Sequence, residues 1–499
     1  MAHESRLKLY LRRRRPIQSC PTVAETPPLV NKRHAPPPPP PPPRVNTSEA
    51  GSKTNAAVRR DLQPYPMAPA RGCSGVTFLD RLPPELLAEI HGRLGFVDRL
   101  ALAASCAARS RIALKTEAPC LVLPGASPDR ITVFSLADNH AAAARATDPA
   151  MRDHVVLGSC SAAAGWLVTA DARGSLRMAN PVTGEQADLP AITTIPFIRP
   201  LGGGAFCLSM GPFAEVRFRG EAPSADGTFN GAWWGGRLTF THTADQMRLW
   251  FYRKVVLSVS SASPTPSPRS YAAMLILGRN LGAPAFASAE DPVWRLAPSR
   301  DGVEDAIHHD GRFYSVTYSG AVEAWERSDG GGGEFVSRAV APRLAFEERS
   351  VSRKYLAAAL DGRLMAVLKY SPQEKGDGVS FKVQVLDEAR RRWEEAADIG
   401  DAALFVGVNG TLCVSAREYR RVRAGCVYFT DDNIGETWLR HERRGGAGNY
   451  GYGYANREAN LEVRDVGVYS LHSGKVERIN VTLQEQPRWP PAAWFTPSV

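Results

Sequence analysis

Cysteine is sparse in this 499-residue chain, and the closest two, Cys413 and Cys426, stand 13 residues apart. No Cys-x-x-Cys exists, which excludes zinc ribbons and thioredoxin-like redox motifs. No charge-free apolar run reaches the ~18 residues needed to cross a bilayer. The N-terminus, with Arg6, Lys8 and Arg12 to Arg15, lacks the roughly 7 to 15 apolar residues of a secretory signal. A G-x-S-x-G nucleophile string is also missing, and no Ser/His/Asp or Cys/His set can be assembled. These gaps predict a protein of a reducing compartment, cytoplasm and/or nucleus, with free thiols. There the sequons at Asn46, Asn409 and Asn480 meet no glycosylation machinery.

Acidic residues are scarce at one end only. Up to Gly75 there are 13 Lys and Arg against 4 Asp and Glu, a local +9 out of a total of +10. The remainder is close to neutral, so the folded part has no bulk electrostatic footprint for nucleic acid, and any polyanion contact belongs to the tail. Residues 1–75, with the eight-proline run Pro36 to Pro43 and few aliphatics, are expected to be a disordered basic tail. The prolines form either a ligand for SH3, WW or profilin-like grooves or a spacer. Arg12 to Arg15 is a nuclear or transit signal or a solvated charge run.

Residues 76–118 read as helical. Leu86, Leu87, Ile90 and Leu94 share one helix face behind an entrance at Leu82, Pro83 and Pro84, with Glu85 in the first turn and Gly95 as a stop. A second helix is predicted from Asp98 as N-cap, carrying Leu100, Leu102, Ala103 and Cys106, and a third reaches Ile112 and Leu114. Forty residues of helix cannot build an independent core, so they need a partner.

From 119 to 499 the pattern is β: short alternating runs such as RFYSVTY, RLMAVLKY and CVYFT, separated by Gly, Asp, Asn and Pro. Turn glycines Gly311, Gly362 and Gly410 recur 51 and 48 residues apart, and Gly165 precedes a similar strand 146 residues before Gly311. A period of ~50 residues holding four short strands is the signature of a propeller blade. The expected fold is therefore mostly β, a single propeller of about seven four-stranded blades behind three short helices. CLVLP (Cys120 to Pro124) and AWFTP (Ala493 to Pro497) are expected in one blade that closes the ring. Trp166, Trp250, Trp294, Trp325, Trp393, Trp438 and Trp494 suit inter-blade core.

The candidates for chemistry are weak. Gly446, Gly448 and Gly451 form a G-x-G-x-x-G without the flanking strand and helix of a dinucleotide fold, and Gly330 to Gly333 lack the Lys-Ser/Thr of a P-loop. His308, His309 and Asp310 are consecutive, so their side chains diverge and they make a poor metal set. Glu304/Asp305 and Asp431/Asp432 sit beside turns, where carboxylates serve local backbone donors. Cys413 and Cys426 suit paired strands as small buried hydrophobes. No catalytic residue, metal or cofactor is expected.

The string LPPELLAEIHGRLGFVDRLALAASC, Leu82 to Cys106, resembles an F-box. WLVTAD, NPVTGEQADLP, VEDAIHHDGRFYSV, CVYFTDDN and WPPAAWFTP, in that order, resemble the plant F-box proteins with a C-terminal KIB-type β-propeller. The resemblance implies domains at 76–118 and 119–499. It also implies a non-enzymatic substrate adaptor of a cullin-RING ubiquitin ligase, docked on a Skp-type adaptor and through it on a cullin, with the propeller receiving a protein target. The implied adaptor contacts are Leu82, Pro83, Leu86, Leu87, Ile90, Leu94, Phe96, Leu100, Leu102 and Cys106, each anchor contributing up to ~1.5 to 3 kcal/mol if fully buried. Arg109 stands where the family pattern has tryptophan, which removes an aromatic anchor. A ligase-independent scaffold with a degenerate F-box is the alternative.

Overall fold

The computed structural model describes residues 82–105, 117–124, 130–145, 155–160, 165–182, 185–209, 239–259, 271–278, 281–299, 301–328, 334–347, 350–370, 378–419, 421–438, 466–479 and 489–497. Contacts divide the chain between Cys73 and Ser74, and every described residue lies in the second unit. The basic tail, the third helix with Cys106 and Arg109, and both glycine-rich strings lie outside the described residues.

Two helices come first, α1 (Pro84–Arg93) and α2 (Phe96–Ser105). Pro84 at the first helical position and Glu85 in the first turn set the start of α1, where proline loses no hydrogen bond and a carboxylate meets the positive end of the dipole. α2 begins two residues before the expected cap, so Asp98 lies inside its first turn, where its charge serves the same dipole.

The strands form blades in chain order, and in blades 2 to 5 each strand pairs with the next one in sequence. Blade 1 holds β1 (Cys120–Pro124), β2 (Arg130–Ser135) and β3 (His140–Arg145). Blade 2 holds β4 (Val155–Cys160), β5 (Leu167–Ala170), β6 (Leu176–Ala179) and β7 (Gln186–Asp188). A three-stranded sheet follows, β8 (Ile198–Leu201), β9 (Ala205–Ser209) and β10 (Thr239–Thr243). Blade 3 is β11 (Tyr252–Val259), β12 (Tyr271–Leu277), β13 (Pro284–Ser288) and β14 (Arg295–Leu296). Blade 4 is β15 (Val303–His309), β16 (Arg312–Thr317), β17 (Val322–Arg327) and β18 (Phe335–Ala341), and blade 5 is β19 (Val351–Ala358), β20 (Leu364–Tyr370), β21 (Ser380–Asp387) and β22 (Arg392–Ala396). Blade 6 has five strands: β23 (Ala402–Val406), β24 (Thr411–Ser415), β25 (Cys426–Phe429), β26 (Gly467–Ser470) and β27 (Val476–Arg478). The last strand, β28 (Ala493–Phe495), returns to blade 1 and lies on the free edge of β1.

Alternate residues of a strand face opposite sides, so each blade feeds two cores. Val122 and Ile131 meet Val156 and Leu167 between blades 1 and 2. Val155 and Leu157 meet Val255 and Leu275 between blades 2 and 3. Phe286 meets Phe313 and Trp325 between blades 3 and 4, and Ile307 meets Leu356 between 4 and 5. Val367 meets Leu404 between blades 5 and 6, and Phe405 meets Leu121 and Trp494 between 6 and 1. Among the described residues these interfaces close a ring of six blades, instead of the seven expected. β4 pairs directly and in parallel with β11, so the three-stranded sheet stands outside the sequence of inner strands while Ile198 and Leu208 join the core beside it. The approach is too close for a side chain: a Cβ on Gly158 would lie 2.0 Å from the Val255 carbonyl oxygen.

Closure follows the expected pairing, with Leu121 opposite Trp494 and Cys120 opposite Phe495. Asn409, a sequon residue, is fully buried here. Its Nδ2 donates to the Trp494 carbonyl at 2.7 Å and its Oδ1 accepts from the Trp494 amide at 3.2 Å. Trp166, Trp294, Trp325 and Trp494 are buried in inter-blade cores, as expected. Gly311 and Gly362 take positive φ in the turns between the first two strands of blades 4 and 5, which explains their recurrence. Cys413 and Cys426 are not on paired strands: β23 runs between theirs, pairing Leu404 with Cys413 and Ala403 with Cys426, so the thiols join different cores.

Candidate functional site

The apolar face expected on α1 is divided. Leu87 and His91, one turn apart, point inward and are buried, whereas Leu86 and Ile90, also one turn apart, are 51% and 38% exposed. Pro83 is exposed, and Leu82 and Leu94 are half-buried. In α2, Phe96 is buried in the core between blades 1 and 2, with Val97 and Leu100 packed beside it, and Leu102 is half-buried. Arg99 fastens this arrangement. Its Nε and Nη2 donate to the Glu117 carboxylate at 2.6 and 3.1 Å, Nη2 also reaches Asp138 at 3.0 Å, and Nη1 donates to the Leu94 carbonyl at 2.9 Å. Burial, with Arg99 nearby, lowers the His91 pKa against the pull of Glu117, which favours the neutral ring. Of the expected adaptor contacts, Leu87 and Phe96 are therefore turned into this chain's own core because docking the helices requires apolar side chains on the ring side. The exposed pair that remains is Leu86 and Ile90.

The inner strands carry a second constellation. β11, β15 and β19 each skip a residue in pairing with the next strand: Arg253, Glu304 and Ser352 have no ladder partner. Such bulges re-aim side chains. Immediately around them, Lys254 Nζ lies 2.7 Å from Asp305 Oδ1, and Lys354 Nζ lies 2.6 Å from Glu304 Oε2. Asp305 also accepts the Leu356 amide at 2.9 Å, and Glu304 the Lys354 amide at 3.2 Å. Asp432, just beyond β25, accepts from Lys369 Nζ at 3.0 Å and the Tyr355 hydroxyl at 2.6 Å. Burial pushes the Glu304 carboxyl above its ordinary pKa, against Lys354 and Arg253. Burial acts likewise on Asp432, but Lys369 and Tyr355 outweigh it and hold the group below the usual range.

The expected place beside turns is not what the structure shows: Glu304 and Asp305 lie within strand β15 and Asp431 and Asp432 just after β25, and Glu304, Asp305 and Asp432 pair with lysines from neighbouring blades. Only the doublets themselves signalled them in the sequence. His309 Nε2–H donates to the Gly362 carbonyl at 2.8 Å, a contact between blades 4 and 5. A cavity of about 310 Å³ opens between blades 3 and 4, with Phe286, Phe313, Phe335 and Tyr271 beside the ion pair Asp291–Arg295. Phe286 stacks on Phe335 at 4.0 Å between centroids. Aromatic walls and a charged rim suit the side chains of a bound partner.

The KIB1-4 beta-propeller family model matches residues 133–470. Three Arabidopsis thaliana proteins are similar to the chain. F-box protein At2g17036 is 25% identical over 40% of this chain and 46% of its own length. F-box protein SKIP23 is 28% identical over 24% and 25%, and F-box/kelch-repeat protein At1g64840 is 36% identical over 16% and 23%. The chain thus spans less than half the length of these curated relatives. With about two thirds of its residues matched by the family model, the chain belongs to the KIB1-4 β-propeller family.

Proposed function

We propose that this protein is a non-enzymatic substrate-recognition adaptor of an SCF-type cullin-RING ubiquitin ligase. The helices bind a Skp-type adaptor, and through it a cullin, while the propeller receives a protein target. The observation that carries this reading is the exposed Leu86–Ile90 stripe on α1, whose Leu87 and His91 are buried, beside α2, which packs Phe96 into the core between blades 1 and 2. An apolar pair left in water beside a docked helix suits a groove on a partner, and the related proteins named for an F-box supply the class of partner. Cytoplasm and/or nucleus is the compartment in which this assembly works.

Leu86→Asp with Ile90→Asp tests it, with purified Skp-type adaptor as bait. The wild-type chain is expected to be retained and the double variant lost, with an unchanged melting temperature because both side chains already face water. Equal retention of both overturns the groove. A ligase-independent scaffold is the second reading, favoured by the burial of Leu87 and Phe96, which withdraws two expected anchors from any partner. Failure of the wild-type chain to bind the adaptor selects it.

A further inference from the structure

The cations and carboxylates at the start of the inner strands do not match in number. Three lysines have one carboxylate each: Lys254 with Asp305, Lys354 with Glu304, and Lys369 with Asp432. Arg253 and Arg353 remain. Arg353 is only 3% exposed, yet among the described residues neither its Nε nor its Nη1 has a hydrogen-bond partner. Its guanidinium carbon lies 5.6 Å from the centre of the Tyr355 ring, a contact that engages the ring face and not an N–H acceptor. The Nε of Arg253 is buried and, among the described residues, equally without an acceptor.

The two arginines are connected through Asp432. Tyr355, beside Arg353, donates its hydroxyl to Asp432. The bulge turns Arg253 out of its ladder, and although burial opposes its charge, Tyr318, Glu304, Asp432 and Asp305 more than offset this. Even with the buried and engaged Asp431 included, five cations stand against four carboxylates among the described residues.

Buried guanidinium donors without acceptors are costly, whereas a ligand bearing two adjacent anionic oxygens satisfies them in a fork geometry. We propose that the start of β11 and β19 forms an oxyanion-binding site in which Arg353 and Arg253 receive a phosphate or carboxylate group. The bulged inner strands hold the arginines, and the three ion pairs keep the neighbouring carboxylates from occupying them.

Inorganic phosphate, titrated calorimetrically into the full-length protein at constant ionic strength maintained with chloride, is the probe. Saturable binding is expected, weakened at least tenfold by Arg353→Met and by Arg253→Met. Arg353→Lys should bind with intermediate affinity, because it keeps the charge and loses the fork. Arg390→Met, exposed between β21 and β22 and paired with Asp387, should leave binding unchanged. The melting temperature of Arg353→Met in chloride alone should equal or exceed that of the wild type, because an unsatisfied buried cation has been removed. Absence of saturable phosphate binding, undiminished binding in both methionine variants, or a several-degree loss of stability in Arg353→Met overturns the site.

Phosphoserine peptides and their unmodified counterparts distinguish the sources. Tighter binding of a phosphopeptide than of phosphate places the oxyanion on a protein target, and equal binding assigns it to a free anion. Only this second arm rests on the propeller as target receiver. Phosphate binding is measured without the adaptor, so a failed adaptor assay leaves it standing.

Discussion

The ring is joined by different chemistry on its two sides. Around β28 the joint consists of backbone pairing, the Asn409 amide and apolar packing of Trp494. Across blades 3 to 6, the ends of the inner strands are joined by lysine–carboxylate pairs with almost no solvent access at Lys254–Asp305 and Lys354–Glu304. Backbone pairing demands a strand in one register. A buried ion pair demands both partners together, and breaking one side is far worse than replacing the two by apolar groups.

The largest effect should come from removing the pairing joint. A chain ending at Pro490 lacks β28 and bares the edge of β1, where Cys120, Leu121 and Val122 are otherwise buried. Aggregation on expression and loss of a single cooperative melting transition are expected, read by size-exclusion chromatography and calorimetry. Next comes Asp305→Ala, which strands Lys254 and the Leu356 amide. It should cost roughly 3 to 5 kcal/mol in denaturant unfolding. Lys254→Met with Asp305→Leu should recover most of that loss, and failure of the rescue would show that the ion pairs are as irreplaceable as the strand joint.

Asn409→Ala should cost about 1 to 3 kcal/mol, since it leaves the Trp494 amide and carbonyl unsatisfied without disturbing any charge. The smallest effects are in pH. Asp432 is held below its ordinary value, so its ionised form stabilises the fold above about pH 4 and this contribution is lost as pH falls through its folded value. Asp432→Asn should flatten that acid limb of the stability curve. Glu304 has the opposite sign: its raised folded value favours the fold at low pH and loses that contribution as pH rises through it. Glu304→Gln should remove this second slope.

The two joints were unequally legible in the sequence. CLVLP and AWFTP are apolar strings at the two ends of the β region, and a ring has one place for such ends to meet. The ion pairs gave no such sign. Lys254 and Asp305 are 51 residues apart, and a lysine within a strand ordinarily reads as a solvent-facing position. Among the described residues six blades close the ring where length divided by period gives about seven, because that division assumes that every stretch enters the ring. The segment around β8 to β10 takes a blade's length without doing so, and blade 6 takes five strands. On α1 the 3.6-residue period marked the apolar face, but its division between Leu87 inside and Leu86 outside depends on where the ring surface lies, which no helix period encodes.

The antiparallel pairing of β9 with β10 begins at Ser209 opposite Thr239. Ser209 and Thr239, the ends on either side of residues 210–238, thus stand at neighbouring points on a sheet outside the sequence of inner strands. A fluorescent reporter or an affinity module grafted between Ser209 and Thr239 is anchored on β9 and β10, not on the closing strand β28 or on the inner strands β11, β15 and β19 that carry the ion pairs.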